Sequence, residues 1–459
     1  MWMGDDVMDP KFPEFVTFAI PFFFLLIGLE LLYGAIKGAK LYRLNDSIAD
    51  LGTGVLNRLF GLLSAAASVY VYWLVYDHLR FFDLPAQPSW ELGMVVTFGA
   101  CFVLYDLAYY WAHRMSHEVN FLWATHVVHH QSEEYNLTVA LRQSAFGGLV
   151  TWPFYLPLAF LGFHPAVMLA NGGLSLIYQF WIHTRVIGRM GFLESFMNTP
   201  SHHRVHHGKN PKYLDKNHAG TFIIWDKMFG TFQQEEEEPV YGTVKPFKSF
   251  NPFWANLQYW KEMWDIAVAA PRWKDKILVW FKHPGWMPEE MGGPKVAPEL
   301  EADSYQKFDV TVPPILSVYS LIWFASMTAL TFAVLLKVDA FNMWQIGGVA
   351  AATTISLICL GGILEGKRWA RFMEPLRLIA IGVFAVFSVD NPQWLLYLTP
   401  NMPVAYGVVA AAAISILIVL KYRTTFTLTV QDYESEEMHL YPGKSSSDLR
   451  EPAMASRVA

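Results

Sequence analysis

Eleven of the chain's 15 histidines fall between His113 and His207, and their spacing is that of metal ligands carried on helices. His113 and His117 stand four apart. His126, His129 and His130 form an i, i+3, i+4 triplet, and His203, His206 and His207 form a second. Residues three and four apart share one helical face, with Cβ atoms roughly 5–6 Å apart. Each group therefore presents two or three imidazoles to one point, or to two neighbouring metals. Bound imidazole is neutral, so such a set holds divalent ions without compensating carboxylates. A single histidine at a membrane boundary is more often interfacial or hydrogen-bonded than a ligand, but three ordered clusters reverse that reading. Structural zinc closes with four ligands, usually including cysteine. Here the ligand supply exceeds one tetrahedral site, and the two cysteines, Cys101 and Cys359, each lie inside an apolar run. A two-metal site fits best.

The elements that must position these histidines are membrane helices. Of 459 residues, 53% are hydrophobic and 16% charged, against about 25% charged in an ordinary globular chain. That balance needs lipid as solvent for part of the surface. It excludes a disordered scaffold and a disulfide-stapled secreted module. A net charge of −6 leaves no footprint for nucleic acid. Apolar runs place spans near 15–36, 54–76, 92–111, 146–162, 166–181, 314–336, 343–364, 376–398 and 404–420. Pro153 and Pro157 mark the fourth as kinked or re-entrant. Asp5, Asp6 and Asp9 precede the first span while Lys37, Lys40 and Arg43 follow it, which sets the N-terminus outside. Alternating from there puts Arg114, Arg142, Arg185, Arg204, Lys367, Arg371 and Lys421 on the cytoplasmic side. The expected fold is an all-α polytopic membrane protein of about nine transmembrane helices, its bundle capped on the cytoplasmic face by the histidine-rich di-metal site. Three parts follow: a catalytic membrane domain with cap over 1–309, a four-helix C-terminal region over 310–430, and a disordered tail over 431–459.

Taken together, His113-Arg-Met-Ser-His117, His126-Val-Val-His129-His130 and His202-His203-Arg-Val-His206-His207, then Asn217-His-Ala-Gly220 and Trp225-Asp-Lys-Met-Phe-Gly-Thr231, resemble the fatty acid hydroxylase/sterol desaturase superfamily. Its members are membrane di-iron oxygenases of lipids. The resemblance covers about residues 90–235. The stretch from Glu133 to Gln143 and the C-terminal spans are most similar to members that cleave alkylglycerol ethers.

This resemblance implies that His113, His117, His126, His129, His130, His203, His206 and His207 are ligands to two iron ions. It implies a ninth in His183, four residues after Gln179, a spacing similar to an additional ligand pair in related desaturases. His202 flanks the third cluster but points away from His203, and His218 stands where the family more often has tyrosine; both stay open as ligands. Glu118 is a candidate catalytic acid that orients an imidazole, or else a surface carboxylate beside Arg114. Arg142 and Gln143 are candidates for contact with a lipid head group, or for a helix–helix role.

The implied activity is O2-dependent hydroxylation of the carbon beside an ether oxygen, giving a hemiacetal that collapses to fatty aldehyde and glycerol. A sterol or acyl substrate is the alternative within the superfamily. A metal transporter or sensor is the remote one; it predicts ionisable groups at mid-bilayer, whereas these histidines cluster at span ends. The chain has no dinucleotide fingerprint or flavin motif, so reductant comes from outside, as tetrahydrobiopterin or through a cytochrome b5-type carrier. His283-Pro-Gly-Trp286 lacks a second axial histidine and is not a haem module. Asn136-Leu-Thr138 matches the glycosylation pattern but falls on the cytoplasmic side. The expected home is the endoplasmic reticulum of a eukaryote or the inner membrane of a bacterium.

Overall fold

A computed structural model describes residue 12 and residues 15–299, 305–390 and 402–427. Helices account for its regular structure, and no strand occurs among the described residues. The first three long helices are α1 (Phe15–Lys37), α2 (Leu44–Leu79) and α3 (Leu92–Glu118). α2 bends by 51° between Ser64 and Ala66. There the Ser64 hydroxyl bonds back to the Phe60 carbonyl at 2.9 Å, a contact that bends helices.

α3 does not stop at the membrane boundary expected near 111 but runs seven residues further, carrying His113 and His117 on its last turns. Val119 is extended (φ −121°, ψ 118°), and α4 (Asn120–His130) starts at once. This sharp turn is clamped from the polar region: Asn120 donates through its backbone to Lys282 O and through its side chain to Val279 O.

Between 147 and 160 the chain is helical only in pieces, Gly147–Thr151, Trp152–Tyr155 and Leu156–Phe160. Pro153 and Pro157 remove the N–H groups a continuous helix would need. This broken run lies along α2, from Ser144 bonded to Asn57 at one end to Phe160 bonded to Phe81 at the other. α5 (Pro165–Trp181) returns toward the histidines. Its N-terminus is capped by His164, whose ring accepts from the Ala166 N–H.

Six helices are long and apolar enough to cross a membrane, or seven if bent α2 counts as one span. The expectation of nine is not confirmed among the described residues. The two spans foreseen at 146–162 and 166–181 are a broken run and a helix of 17 residues.

The polar region contributes α6 (Pro200–His207), α7 (Gln258–Ala269) and α8 (Trp273–Phe281). Pro200 occupies the first turn of α6, where its missing N–H is no loss. Four C-terminal helices follow: α9 (Pro314–Leu336), α10 (Met343–Leu364), α11 (Ala370–Asp390) and α12 (Met402–Lys421). Leu316, Leu357, Leu360 and Val419 from this set share one buried core with Ile48 and Leu56 of α2.

The end of the bundle that carries the histidines also gathers charge. Glu134 pairs with Arg43, Arg185 and Lys307, and Glu365, past α10, accepts from Phe250 N. The tail foreseen over 431–459 and the end of the span foreseen to 398 lie outside the described residues.

Candidate metal centre

Nine histidines converge in two adjoining groups. One holds His113, His117, His126, His130 and His206; the other holds His129, His183, His203 and His207. Within each, the candidate ligand atoms all lie within 4.8 Å of one another. These are the nine positions singled out from the sequence. The helices divide their residues in a complementary way. On α4 the i, i+4 pair His126 and His130 joins the first group and His129 the second. On α6 the i, i+4 pair His203 and His207 joins the second group and His206 the first. The His130 and His207 rings, 4.5 Å apart, meet across the divide.

Main-chain carbonyls orient four of the nine rings. Nδ1–H donates to the carbonyl of His218 from His113 (2.7 Å), of Arg142 from His129 (2.8 Å), of Gln179 from His183 (2.7 Å) and of Lys216 from His206 (2.9 Å). His117 instead donates to Asp215 Oδ1 at 3.2 Å. Fixing the proton on Nδ1 leaves the Nε2 lone pair free for a metal.

Those Nε2 atoms point at each other. His126 Nε2 lies 2.9 Å from His113 Nε2 and 3.0 Å from His130 Nε2, and His183 Nε2 lies 3.0 Å from His203 Nε2 and 3.2 Å from His129 Nε2. His129 and His183 both donate through Nδ1, so the approach of their Nε2 atoms brings two lone pairs together. Nε2 of His117, His206 and His207 is buried with no hydrogen-bond partner at all. An unsatisfied buried polar atom costs about 1–3 kcal/mol, so this accumulation fits two cations and fits little else. Burial, then repulsion among the rings, holds His126, His130, His203, His206 and His207 well below the usual imidazole range, and burial pushes His129 down to about 4. All are neutral at neutral pH, the form that binds metal.

The loop after α6 is tied to α3 by carboxylates. Asp106 accepts from Thr221 N, Phe222 N and the Trp225 indole, and Asp226 accepts from His218 N, Ala219 N and the Thr231 hydroxyl. The Trp-Asp…Phe-Gly-Thr motif is thus a clasp that delivers the His218 carbonyl to His113. Asp215 and Asn217 hold positive φ (both 55°), a conformation these short polar side chains tolerate. The sequence reading missed Asp215. Its signal was a left-handed-tolerant acid in the short loop between the third cluster and the Asn-His-Ala-Gly motif.

The other residues singled out in the sequence stand apart from the two groups. Glu118 reaches no imidazole: it pairs with Arg114 at 2.7 Å, one helical turn back, and is half-exposed. Arg142 cannot meet a lipid head group, because its buried guanidinium is committed to Asp50, Val128 O and Gln131. His202 belongs to neither group and packs on Phe232. His218 stands beside the first group, but its ring nitrogen donates to Asp215 O. His283 bonds to the other oxygen of Asp215. Asn136 is 1% exposed and inaccessible to a glycosyl donor.

A cavity of about 170 Å³ adjoins the rings, lined by His113, His126 and His129 together with Asn57, Gln143 and Tyr155.

Residues 98–231 match the family model described as fatty acid hydroxylase. With its apolar helices and paired histidine groups, the chain is a membrane oxidoreductase of the fatty acid hydroxylase family. Relatives that align over most of its length include alkylglycerol monooxygenases of several animals. The chain is 37% identical to human alkylglycerol monooxygenase over 406 residues, covering 88% of each protein, and 38% identical to that of Xenopus tropicalis over 374 residues, covering 80% of this chain and 81% of the relative. A shorter match, 29% over 152 residues, covers 31% of this chain and 43% of the ornithine lipid hydroxylase OlsE of Rhizobium tropici. No solved structure matches the chain at a significant level.

Proposed function

We propose that this protein is an alkylglycerol monooxygenase: an O2-dependent di-iron enzyme that hydroxylates the ether-adjacent carbon of a 1-O-alkylglycerol, the product collapsing to fatty aldehyde and glycerol. The observation that carries the reading is the set of nine buried imidazoles in two groups, on a chain aligned along most of its length with alkylglycerol monooxygenases. His113, His117, His126, His130 and His206 hold one iron, and His129, His183, His203 and His207 the other. The irons supply the redox chemistry that activates O2 and a C–H bond. The protein's own share is to hold nine rings neutral, to fix the Nε2 atoms of five of them toward the metals through Nδ1 donation, and to bring lipid to a cavity bounded by three of those rings. The reacting part lies within 1–309, since every ligand position and the matched segment 98–231 fall there.

The histidine end faces the cytoplasm in this proposal, because Lys37, Arg43, Arg185 and Lys367 gather there. Reductant arrives from outside the chain, as tetrahydrobiopterin or through a cytochrome b5-type carrier.

The experiment is turnover of a 1-O-alkylglycerol by membranes containing the protein, with O2 and a tetrahydropterin, beside His206→Ala. Aldehyde that needs both pterin and His206 is expected. No aldehyde from inserted, iron-loaded protein would overturn the substrate assignment and direct attention to a sterol or acyl chain fed by a carrier protein.

A further inference from the structure

A second pocket, of about 120 Å³, meets the histidine-lined cavity. It lies among α1, α2, α5 and the C-terminal helix α9, with Phe23, Phe180, Phe332 and Leu335 in its walls. Asn57 and Gln143 line both spaces. The two spaces differ in chemistry: this one is walled mainly by aliphatic and aromatic side chains, whereas the histidine-lined one adds Ser116, Thr125, Ser144 and Thr151. Phe24 and Leu176 line the apolar pocket and are 41% exposed on the outer surface of the bundle, where lipid is the solvent.

The two amides at the junction are held in place. Asn57 donates to Ser144 O at 2.7 Å, and Gln143 donates to Ala140 O at 3.3 Å. Gly54, one turn before Asn57 and also in the pocket wall, lets this loop approach closely. A Cβ there would stand 2.4 Å from the Leu141 carbonyl oxygen, so the loop that carries Gln143 packs tightly onto α2.

We propose that the two spaces form one bipartite lipid site, in which the alkyl chain occupies the apolar pocket and α9 supplies one of its walls. The chain crosses the Asn57–Gln143 junction so that its first carbon enters the histidine-lined cavity, and its far end runs out between Phe24 and Leu176 into the bilayer. This gives the C-terminal helices a part in substrate selection, although every histidine ligand position lies before them. The assignment rests on the proposed reading of the substrate as an ether lipid with one long alkyl chain.

The test narrows the pocket at Thr331, which lines it and is 3% exposed. Thr331→Phe is expected to shift the ratio of kcat/KM for long over short alkylglycerols by roughly tenfold or more toward the short, with iron content unaltered. Leu330→Phe places the same ring on the exposed face of α9 and is expected to leave that ratio where it was. Equal ratios in both variants would overturn the proposal. A photoreactive 1-O-alkylglycerol with a diazirine near its chain end supplies a readout that needs no turnover. Adducts in peptides spanning 16–24 or 328–335 that unlabelled alkylglycerol displaces support the assignment, even where no aldehyde forms. Adducts confined elsewhere, or equal labelling by a diazirine phospholipid, overturn it. Loss of aldehyde from the unmodified protein while displaceable labelling persists would count against the reaction and not against the pocket.

Discussion

His117 and His283 are joined through a single carboxylate. Asp215 sets one oxygen 3.2 Å from Nδ1 of His117 and the other 3.1 Å from Nε2 of His283. His117 is buried within the first histidine group, whereas the His283 side chain is 56% exposed. Asp215→Asn keeps the size of the side chain and tolerates the left-handed backbone at this position, but removes the charge behind the imidazole. Metal affinity is expected to fall about 10–100-fold, measured by iron retention against a graded chelator. Unchanged retention would show that the carboxylate does not position His117.

The two groups predict different consequences for neighbouring histidines. His129→Ala and His206→Ala each take a ring from a separate group, and both are expected to abolish activity and lower bound iron while leaving the protein inserted in the membrane. His202→Ala, on a ring packed against Phe232, is expected to retain most of the iron. Metal analysis of the three purified variants decides this, and complete iron loss from His202→Ala would mean that the third cluster is assigned in the wrong register.

The side chain of Arg142 is a structural anchor. Its guanidinium meets Asp50 at 3.1 Å with both side chains almost wholly buried, and its own carbonyl holds His129. Removing one partner of a buried pair leaves the other charge uncompensated, at a cost of about 3–5 kcal/mol. Asp50→Asn is therefore expected to lower the unfolding midpoint in detergent markedly. A midpoint within a degree of the parent protein's would count against that role.

Acid should destabilise the metal-free protein in a defined window. Burial pushes His129 from its ordinary value near 6.5 to about 4. Between those values the unfolded chain binds a proton that the folded one refuses, so stability rises with pH there and falls as pH drops from about 6.5 toward 4. Thermal unfolding of chelator-stripped protein across this range checks the slope. A flat profile would contradict a buried, neutral imidazole.

Spacing made eight of the nine positions legible, because i, i+3 and i, i+4 patterns survive any arrangement of the helices that carry them; His183 came only from the family resemblance and its distance from Gln179. Helices such as α9 and α10 were equally legible, since a long apolar run admits few other conformations. The broken stretch before α5 was harder to read. Hydropathy saw one apolar segment there, while Pro153 and Pro157 decided its backbone. The division of histidines between two groups, the role of Asp215 and the commitment of Arg142 to Asp50 depend on contacts between residues far apart in sequence. Glu118 misled for a similar reason: adjacency to His117 along the chain places its side chain about 100° around the helix, toward Arg114 and away from the rings.

Four of the nine rings are aimed by main-chain carbonyls, at His218, Arg142, Gln179 and Lys216. A carbonyl is the same atom whichever amino acid carries it. Mutational drift at 218, 179 or 216 can therefore alter the surroundings of the centre while its geometry persists, provided the backbone keeps its course. Selection on the metal site then falls on the ligands themselves and on the clasp of Asp106 and Asp226 that holds the backbone, leaving the lipid-facing walls free to diversify.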